Sequence, residues 1–168
     1  MQEMAPRTSE SPEDESGAIL HALRRMPDAF TALFAPETEE TLHHRPADGE
    51  WSAVEVVCHL ADHDAFERTQ RFDAILTHET PALPVDTTRF TVTAAVFQSR
   101  SAADALAFFA RERARTVALL ERLHPQDWLR IGLHPRDGMS TLLHVADLRG
   151  HDREHLDQAA AAIAAAKR

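Results

Sequence analysis

The sequence is poor in cysteine and glycine, with one of the first and five of the second. A single cysteine, Cys58, excludes an internal disulfide bond. It lies in an apolar helical run, so we expect a small buried hydrophobe there. Scarce glycine, together with the lack of convincing apolar–polar alternation, favours helices over strands.

Long apolar segments are also missing. No run of apolar residues is long enough to cross a bilayer, so we expect no membrane partner. The segment from Met1 to Ser16 is polar and acidic and has no apolar stretch typical of a signal peptide. We therefore expect a cytoplasmic protein.

The sequence also has few positive charges. It contains 18 Lys and Arg against 27 Asp and Glu, so its formal net charge is −9. Nucleic-acid binding usually shows as a basic patch. The one basic cluster, Arg111, Arg113 and Arg115, is interrupted by Glu112 and indicates a solvated helix face. Nucleic acid is therefore not an expected partner.

The 168 residues, 43% of them hydrophobic, suit one domain with a sizeable core. Residues 1–16 are rich in Glu, Ser and Pro and are predicted to be a disordered acidic tail. Residues 17–168 are predicted to form a single domain.

Helical spacing of apolar residues predicts four long helices in that domain. The first covers Ile19 to Phe34, and the second runs from a Ser52–Glu55 capping box to about residue 78. A crossover over residues 79–100 leads to a third helix from Ser101 to about His124. The fourth is predicted to be capped by Ser140 and to end near Ile163. The expected fold class is an all-α four-helix bundle, in whose core facing helices can build metal sites.

One motif late in the chain indicates such a site. His151 and His155 are four residues apart, so on a helix they project from the same face. Neutral imidazole is the commonest metal ligand in proteins. His59, on the apolar face of the second helix, is a candidate third ligand, and three histidines would leave positions open for water or substrate. Taken alone, His59 is better explained as a hydrogen-bonded core histidine, and only the His151/His155 pair shifts the balance toward a metal ligand.

Two protease patterns fit this motif poorly. The HExxH pattern needs Glu at position 152, where Asp152 stands. The HxxEH pattern is matched by His151, Glu154 and His155, but such proteases take a further carboxylate ligand well downstream. The thirteen residues after His155 are mostly alanine. The sequence therefore does not favour a protease.

Candidates for proton transfer lie beside the predicted ligands. His63 follows His59 by one helical turn, and we expect a pocket residue, with a fourth ligand or a general base as alternatives. Asp62 and Glu154 are the next candidate bases, or they orient the ligand imidazoles.

Two further residues are candidates for the substrate pocket. Gln158, one turn beyond His155, is placed to hydrogen-bond a ligand or a substrate. Trp51, just before the second helix, is either a pocket wall or a buried anchor. His134 is expected at the surface, where it could overhang the pocket.

Two stretches of sequence resemble the signatures of the DinB/YfiT-like superfamily. The first is Arg45–Ser52 followed by Glu55–Val57 and His59–Asp62, and the second is the HxxxHxxQ stretch His151–Gln158. The resemblance covers roughly residues 19–160. It implies a four-helix bundle, often a homodimer, with a divalent metal, commonly nickel or zinc, held by His59, His151 and His155. Relatives include metal-dependent hydrolases and thiol-dependent transferases or isomerases.

The leading hypothesis is a metal-dependent enzyme that activates water or a low-molecular-weight thiol against a small-molecule substrate, as a hydrolase or a thiol-S-transferase. A non-catalytic metal-binding or stress-response module that dimerises is the alternative. A third possibility is a helical dimerisation protein whose histidines are core polar groups.

Overall fold

The computed structural model of the protein describes residues 11–85 and 96–168. Seven α-helices and one β-hairpin lie wholly within these residues. The helices are α1 (Pro12–Phe34), α2 (Glu39–His43), α3 (Ala53–Phe66), α4 (Asp73–Thr77), α5 (Ala102–Leu120), α6 (Leu142–Val145) and α7 (Arg149–Ala166). The strands are β1 (Ile131–His134) and β2 (Gly138–Thr141), which pair antiparallel.

The four long helices pack as a bundle. Helix α5 packs against both α1 and α3, and α7 packs against the same two helices. The contacts thus form a ring in the order α1, α5, α3, α7, and the predicted all-α four-helix bundle is confirmed. No helix in the described part of the chain is both long and apolar enough to cross a membrane.

The start of α3 is set by the predicted capping box. The Ser52 hydroxyl accepts a hydrogen bond from the Glu55 backbone N–H, and the Glu55 carboxylate accepts one from the Ser52 N–H. Arg45 Nε donates to the same carboxylate at 2.9 Å, and Gln98 donates to the Ser52 hydroxyl. Two backbone donors at this end are thus bonded to the buried side chains of Ser52 and Glu55, which helps to fix where α3 enters the bundle.

Helix α3 continues beyond its last α-helical residue without a break. A π-helical turn over Glu67–Phe72 joins it to α4, which ends at Thr77. The long second helix predicted to about residue 78 is therefore confirmed in extent, though not in its regularity. Such π-turns are rare and often occur at functional sites.

The predicted disordered tail extends too far. Helix α1 begins at Pro12, with Ser11 and Asp14 forming a capping box, so residues 12–16 are helical. Proline at the first helical position and acidic residues in the first turn stabilise a helix start, although the same composition is typical of disorder. Residues 1–10 of that tail, and residues 86–95 of the predicted crossover, lie outside the described part of the chain.

The predicted start of the fourth helix is wrong. Ser140 does not cap a helix but lies in β2, opposite Gly132 of β1. Thr141 caps the short α6, and α7 begins only at Arg149. Strands of four residues are too short to show the alternation that would have revealed them.

The hairpin is fixed to the rest of the molecule by close packing and by backbone hydrogen bonds. A Cβ at Gly132 would come within 2.9 Å of Leu83 Cδ2, so a larger residue there would have to displace the buried Leu83 side chain. Leu83 N donates to Leu133 O at 2.9 Å, and Leu133 N donates to Pro81 O at 2.8 Å. The hairpin is therefore tied to the segment that follows α4.

The basic cluster on α5 is only partly solvated. Arg111 and Arg115 are exposed, as expected, but Arg113 is 2% exposed and the expectation is wrong for it. Arg113 follows the buried Phe109 by one turn, so it points into the bundle. Its acidic partners come from other helices, and sequence spacing does not reveal them.

Candidate metal centre

Three histidines meet between α3 and α7. His59 comes from α3, and His151 and His155 project from successive turns of α7. One ring nitrogen from each lies within 4.8 Å of the others. In residues 11–85 and 96–168, this is the one group of three or more His, Cys, Asp or Glu side chains arranged to share a metal ion.

The nitrogen positions fit a shared cation. His59 Nε2 and His151 Nε2 are 3.3 Å apart. Two imidazole nitrogens bound to one tetrahedral Zn²⁺, each at about 2.0–2.1 Å, lie about 3.3 Å apart. The third ring, His155, has Nδ1 2.8 Å from Gln158 Oε1, an acceptor, so its N–H is at Nδ1 and Nε2 carries the lone pair. The donor set therefore suits a divalent metal.

Two of the three histidines, His59 and His155, are held in the uncharged form that a metal requires. Burial lowers the pKa of His59 to about 2, and His155 and His151 add to the effect. Burial also lowers the pKa of His155, with His151 as the next cause. Since only an uncharged imidazole offers a lone pair, the site needs no proton release from these two rings near neutral pH.

His63 lies against the three histidines without being one of the group. Its ring stacks on that of His151, with centroids 4.1 Å apart and planes 25° apart. Burial, followed by His151 and His59, lowers the pKa of His63 to about 2. Its Nε2 lies 3.4 Å from Oε1 of Glu67, which is 1% exposed and is also paired with Arg71.

The metal cleft is a cavity of about 220 Å³ bounded by all four of these histidines. Trp51 forms one wall, stacked on His155 at 6.1 Å with 19° between the planes. Phe66 adds a second apolar wall, and Arg136, from the hairpin turn, adds a positive charge. The centre is therefore accessible to a small molecule.

A second cleft of about 250 Å³ adjoins the first. The two have in common His63, Glu67, Arg71 and His151. The second cleft is closed on its far side by hairpin, α6 and α7 residues that include His134, Asp137, His144 and Asp147. His134 was expected at the surface with a possible place over a pocket, and it lines this cleft.

A comparison with models of protein families shows which family the chain belongs to. The family model described as the DinB superfamily matches residues 22–159, which is most of the chain. The chain belongs to the DinB superfamily.

This DinB-superfamily chain is also similar to a solved structure. YfiT from Bacillus subtilis, described as a probable metal-dependent hydrolase with an unusual four-helix bundle topology, superposes with a TM-score of 0.77 at 26% sequence identity. The match covers 95% of this chain and 91% of YfiT. No curated protein sequence matches the chain.

The other predicted site residues of the DinB chain take different positions. Trp51 both lines the cleft and packs on the core, so its two interpretations hold together. Gln158 contacts His155 through the hydrogen bond described above. Of the candidate bases, His63 lines the metal cleft, whereas the half-buried Asp62 and the exposed Glu154 are not among the described residues that line it.

The charged residues that sequence reasoning missed are Glu67, Arg71 and Arg136, which line the metal cleft, and Asp152 and Arg113, which form a buried ion pair next to His151. Glu67 follows His63 by four residues, a helical spacing that could have revealed it. Asp152 was weighed only as a departure from HExxH, although it adjoins His151. Arg113 and Arg136 carry no local signal, because the helix packing and the hairpin bring them in.

Proposed function

We propose that the chain is a metal-dependent hydrolase in which His59, His151 and His155 hold a divalent ion, Ni²⁺ or Zn²⁺. The observation that carries the proposal is the convergence of three imidazoles, one pair of nitrogens 3.3 Å apart, on the wall of an accessible cleft. Imidazole donors suit both metals. The likeness to YfiT supports hydrolysis over other metal chemistry.

A divalent ion bound there would supply Lewis acidity, which lowers the pKa of water and polarises a carbonyl oxygen. The remaining steps belong to the chain. His63, uncharged and beside the centre, is the candidate proton acceptor, and because its lowered pKa makes it a weak base, it needs a nearby negative charge. Its Nε2–H faces Glu67 Oε1, whose negative charge stabilises the imidazolium that forms. Arg71 holds the Glu67 carboxylate in place.

The lining of the cleft supports a proposal for the kind of substrate. Trp51 and Phe66 offer apolar walls to an acyl or aryl group, and Arg136 offers a cation to an anionic or strongly polar group. A small-molecule substrate and a homodimer remain our proposals for partners, and nucleic acid remains an unexpected one. Asp62 and Glu154 are retained only as alternative proton carriers or as residues that orient the imidazoles.

The test is turnover by the metal-loaded protein. Protein freed of metal and reloaded with Zn²⁺ or Ni²⁺ is assayed against chromogenic carboxylic esters, amides and phosphoesters, each with and without an added thiol. We expect thiol-independent hydrolysis that is lost in His151→Ala and retained in His21→Ala, which removes an exposed histidine of α1.

Two outcomes would contradict the proposal. Turnover that requires the thiol would replace the hydrolase with a thiol transferase. Metal binding without any turnover would favour the non-catalytic metal-binding module, and equal turnover by His151→Ala would show that hydrolysis does not depend on this centre.

A further inference from the structure

Three buried charges join three helices of the bundle behind the metal centre. Arg113 of α5, Asp64 of α3 and Asp152 of α7 are each at most 2% exposed. Arg113 Nε donates to Asp64 Oδ2 at 2.7 Å, and its Nη1 and Nη2 donate to the two oxygens of Asp152 at 2.5 and 2.9 Å. The two-point contact fixes the plane of the Asp152 carboxylate as well as its position.

Asp152 is the neighbour of His151 in the chain and in space. The Nδ1 atom of His151 is buried and has no hydrogen-bond partner among the described residues. The carboxylate oxygen Oδ1 of Asp152 lies 3.9 Å from it. Buried polar atoms are normally hydrogen-bonded, so this one requires an explanation.

The opposite nitrogen of the same ring supplies that explanation. His151 Nε2 is the atom that faces His59 Nε2, so it is the one available to a cation. A ring that ligates through Nε2 carries its hydrogen on Nδ1, and a buried N–H needs an acceptor. A movement of about 1 Å would bring Nδ1 and Oδ1 within ordinary hydrogen-bond distance of about 2.9 Å.

We propose that Arg113 and Asp152 are positioning residues of the metal centre. The Arg113 guanidinium holds the Asp152 carboxylate where it accepts the Nδ1–H of His151, and this fixes the tautomer that leaves Nε2 free for a divalent cation. The inference rests on the proposed role of His151 as a ligand, and it assigns to α5, which contributes no ligand, control over the geometry of the site.

The two aspartates that contact Arg113 allow a matched comparison of variants. Asp152→Asn and Asp64→Asn each take one carboxylate from Arg113 and conserve side-chain shape, but only Asp152 adjoins His151. We would measure the Zn²⁺ dissociation constant by chelator competition for wild type and both variants, and urea unfolding of the metal-free proteins.

We expect both substitutions to destabilise the metal-free fold. Asp152→Asn should raise the Zn²⁺ dissociation constant by about 10- to 100-fold, as is typical of losing a partner that orients a ligand, whereas Asp64→Asn should change it by less than about threefold. Equal losses of affinity in the two variants, or none in either, would overturn the inference.

A second measurement needs neither metal nor a variant. In metal-free wild type with ¹⁵N-labelled histidine, the ring nitrogen shifts should show His151 protonated at Nδ1. A proton at Nε2 instead would overturn the inference even if Asp152→Asn fails to fold. If wild type binds no Zn²⁺, the proposed function fails, and the tautomer still decides the role of Asp152.

Discussion

His59 and His63 lie one turn apart on α3, and the same surroundings keep both rings uncharged. Burial is the largest cause of the lowered pKa in each case, and the neighbouring histidines add to it. An uncharged ring beside a metal centre can either ligate or take up a proton. Whether such a histidine binds the metal or accepts a proton then depends on the direction of its lone pair and not on its charge.

The lowered pKa of His63 predicts an acid-sensitive fold. In the unfolded chain this imidazole protonates below its ordinary pKa of 6.5, whereas in the folded protein it stays neutral down to about 2. The free energy of unfolding should therefore fall as pH drops from about 7 to 5, by about 2 kcal/mol for this one group.

Urea unfolding of the metal-free protein at pH 7.5 and 5.0 measures that effect. His63→Gln should show a smaller fall than wild type between the two pH values, because glutamine does not titrate. His21→Ala, which removes an exposed histidine, should behave as wild type. The same fall in all three proteins would contradict the prediction.

The ligand set predicts a large loss from a single substitution. His155→Ala removes one of three nitrogen donors, so the Zn²⁺ dissociation constant should rise by more than about 100-fold, beyond the effect of losing an orienting partner. Chelator competition against Zn²⁺ measures the change, with His21→Ala again as the control. An unchanged affinity in His155→Ala would place the metal elsewhere.

The candidate site could be predicted from sequence only where its residues share a helix or an apolar face. His151 and His155 satisfy a helical spacing, and His59 interrupts an apolar face, so all three were identified. Arg113 was misplaced on a solvated face because its partners lie 49 and 39 residues away. Sequence patterns record spacing along one helix and carry no signal for such distant pairs.

At the scale of elements, α3 begins at a buried cap and carries both His59 and His63. Its first turn is closed by the buried Ser52 and Glu55, and the exposed Arg45 adds an ion pair. Farther along, the π-helical turn begins at Glu67 and places it beside His63. One helix therefore supplies a candidate ligand, a candidate base and that base's acidic partner.

Loss of the α3 cap should be costly. Ser52→Ala removes the acceptor for the Glu55 N–H and leaves Gln98 without its hydroxyl partner, so the unfolding free energy should fall by about 1–2 kcal/mol. Thr38→Ala removes the corresponding acceptor from the five-residue α2 and should cost less, because that cap is exposed. Thermal or urea unfolding of both variants makes the comparison, and equal losses would contradict it.

Helices with capping residues and a periodic apolar pattern could be predicted from the sequence, whereas the hairpin could not. The Ser52–Glu55 capping box and the predicted third-helix start at Ser101 located two helix starts correctly. The prediction of a third helix start at Ser140 was wrong, because a serine that precedes apolar residues is typical of a helix start but can also lie in a strand. What holds it in β2 is pairing with Gly132, a contact that only the folded chain makes.

For the whole molecule, the metal site should contribute to stability, because it joins two helices. A ligand that binds only the folded state adds about 2.7 kcal/mol at a free concentration 100 times its dissociation constant. Saturating Zn²⁺ should therefore raise the melting temperature of the metal-free protein, and a chelator should reverse the change. The rise should disappear in His151→Ala, and a rise that persists there would show that the ion stabilises another part of the fold.

The Asp64–Arg113–Asp152 network also limits how this sequence can change over generations. Losing one member strands a buried charge, which typically costs about 3–5 kcal/mol out of a total stability of about 5–15 kcal/mol. Replacing all three with apolar residues of similar size need not lower the stability of the fold. Each single substitution on the way, however, leaves an unpaired buried charge and destabilises the protein. Positions 64, 113 and 152 should therefore be inherited as a set, exchanged together or not at all.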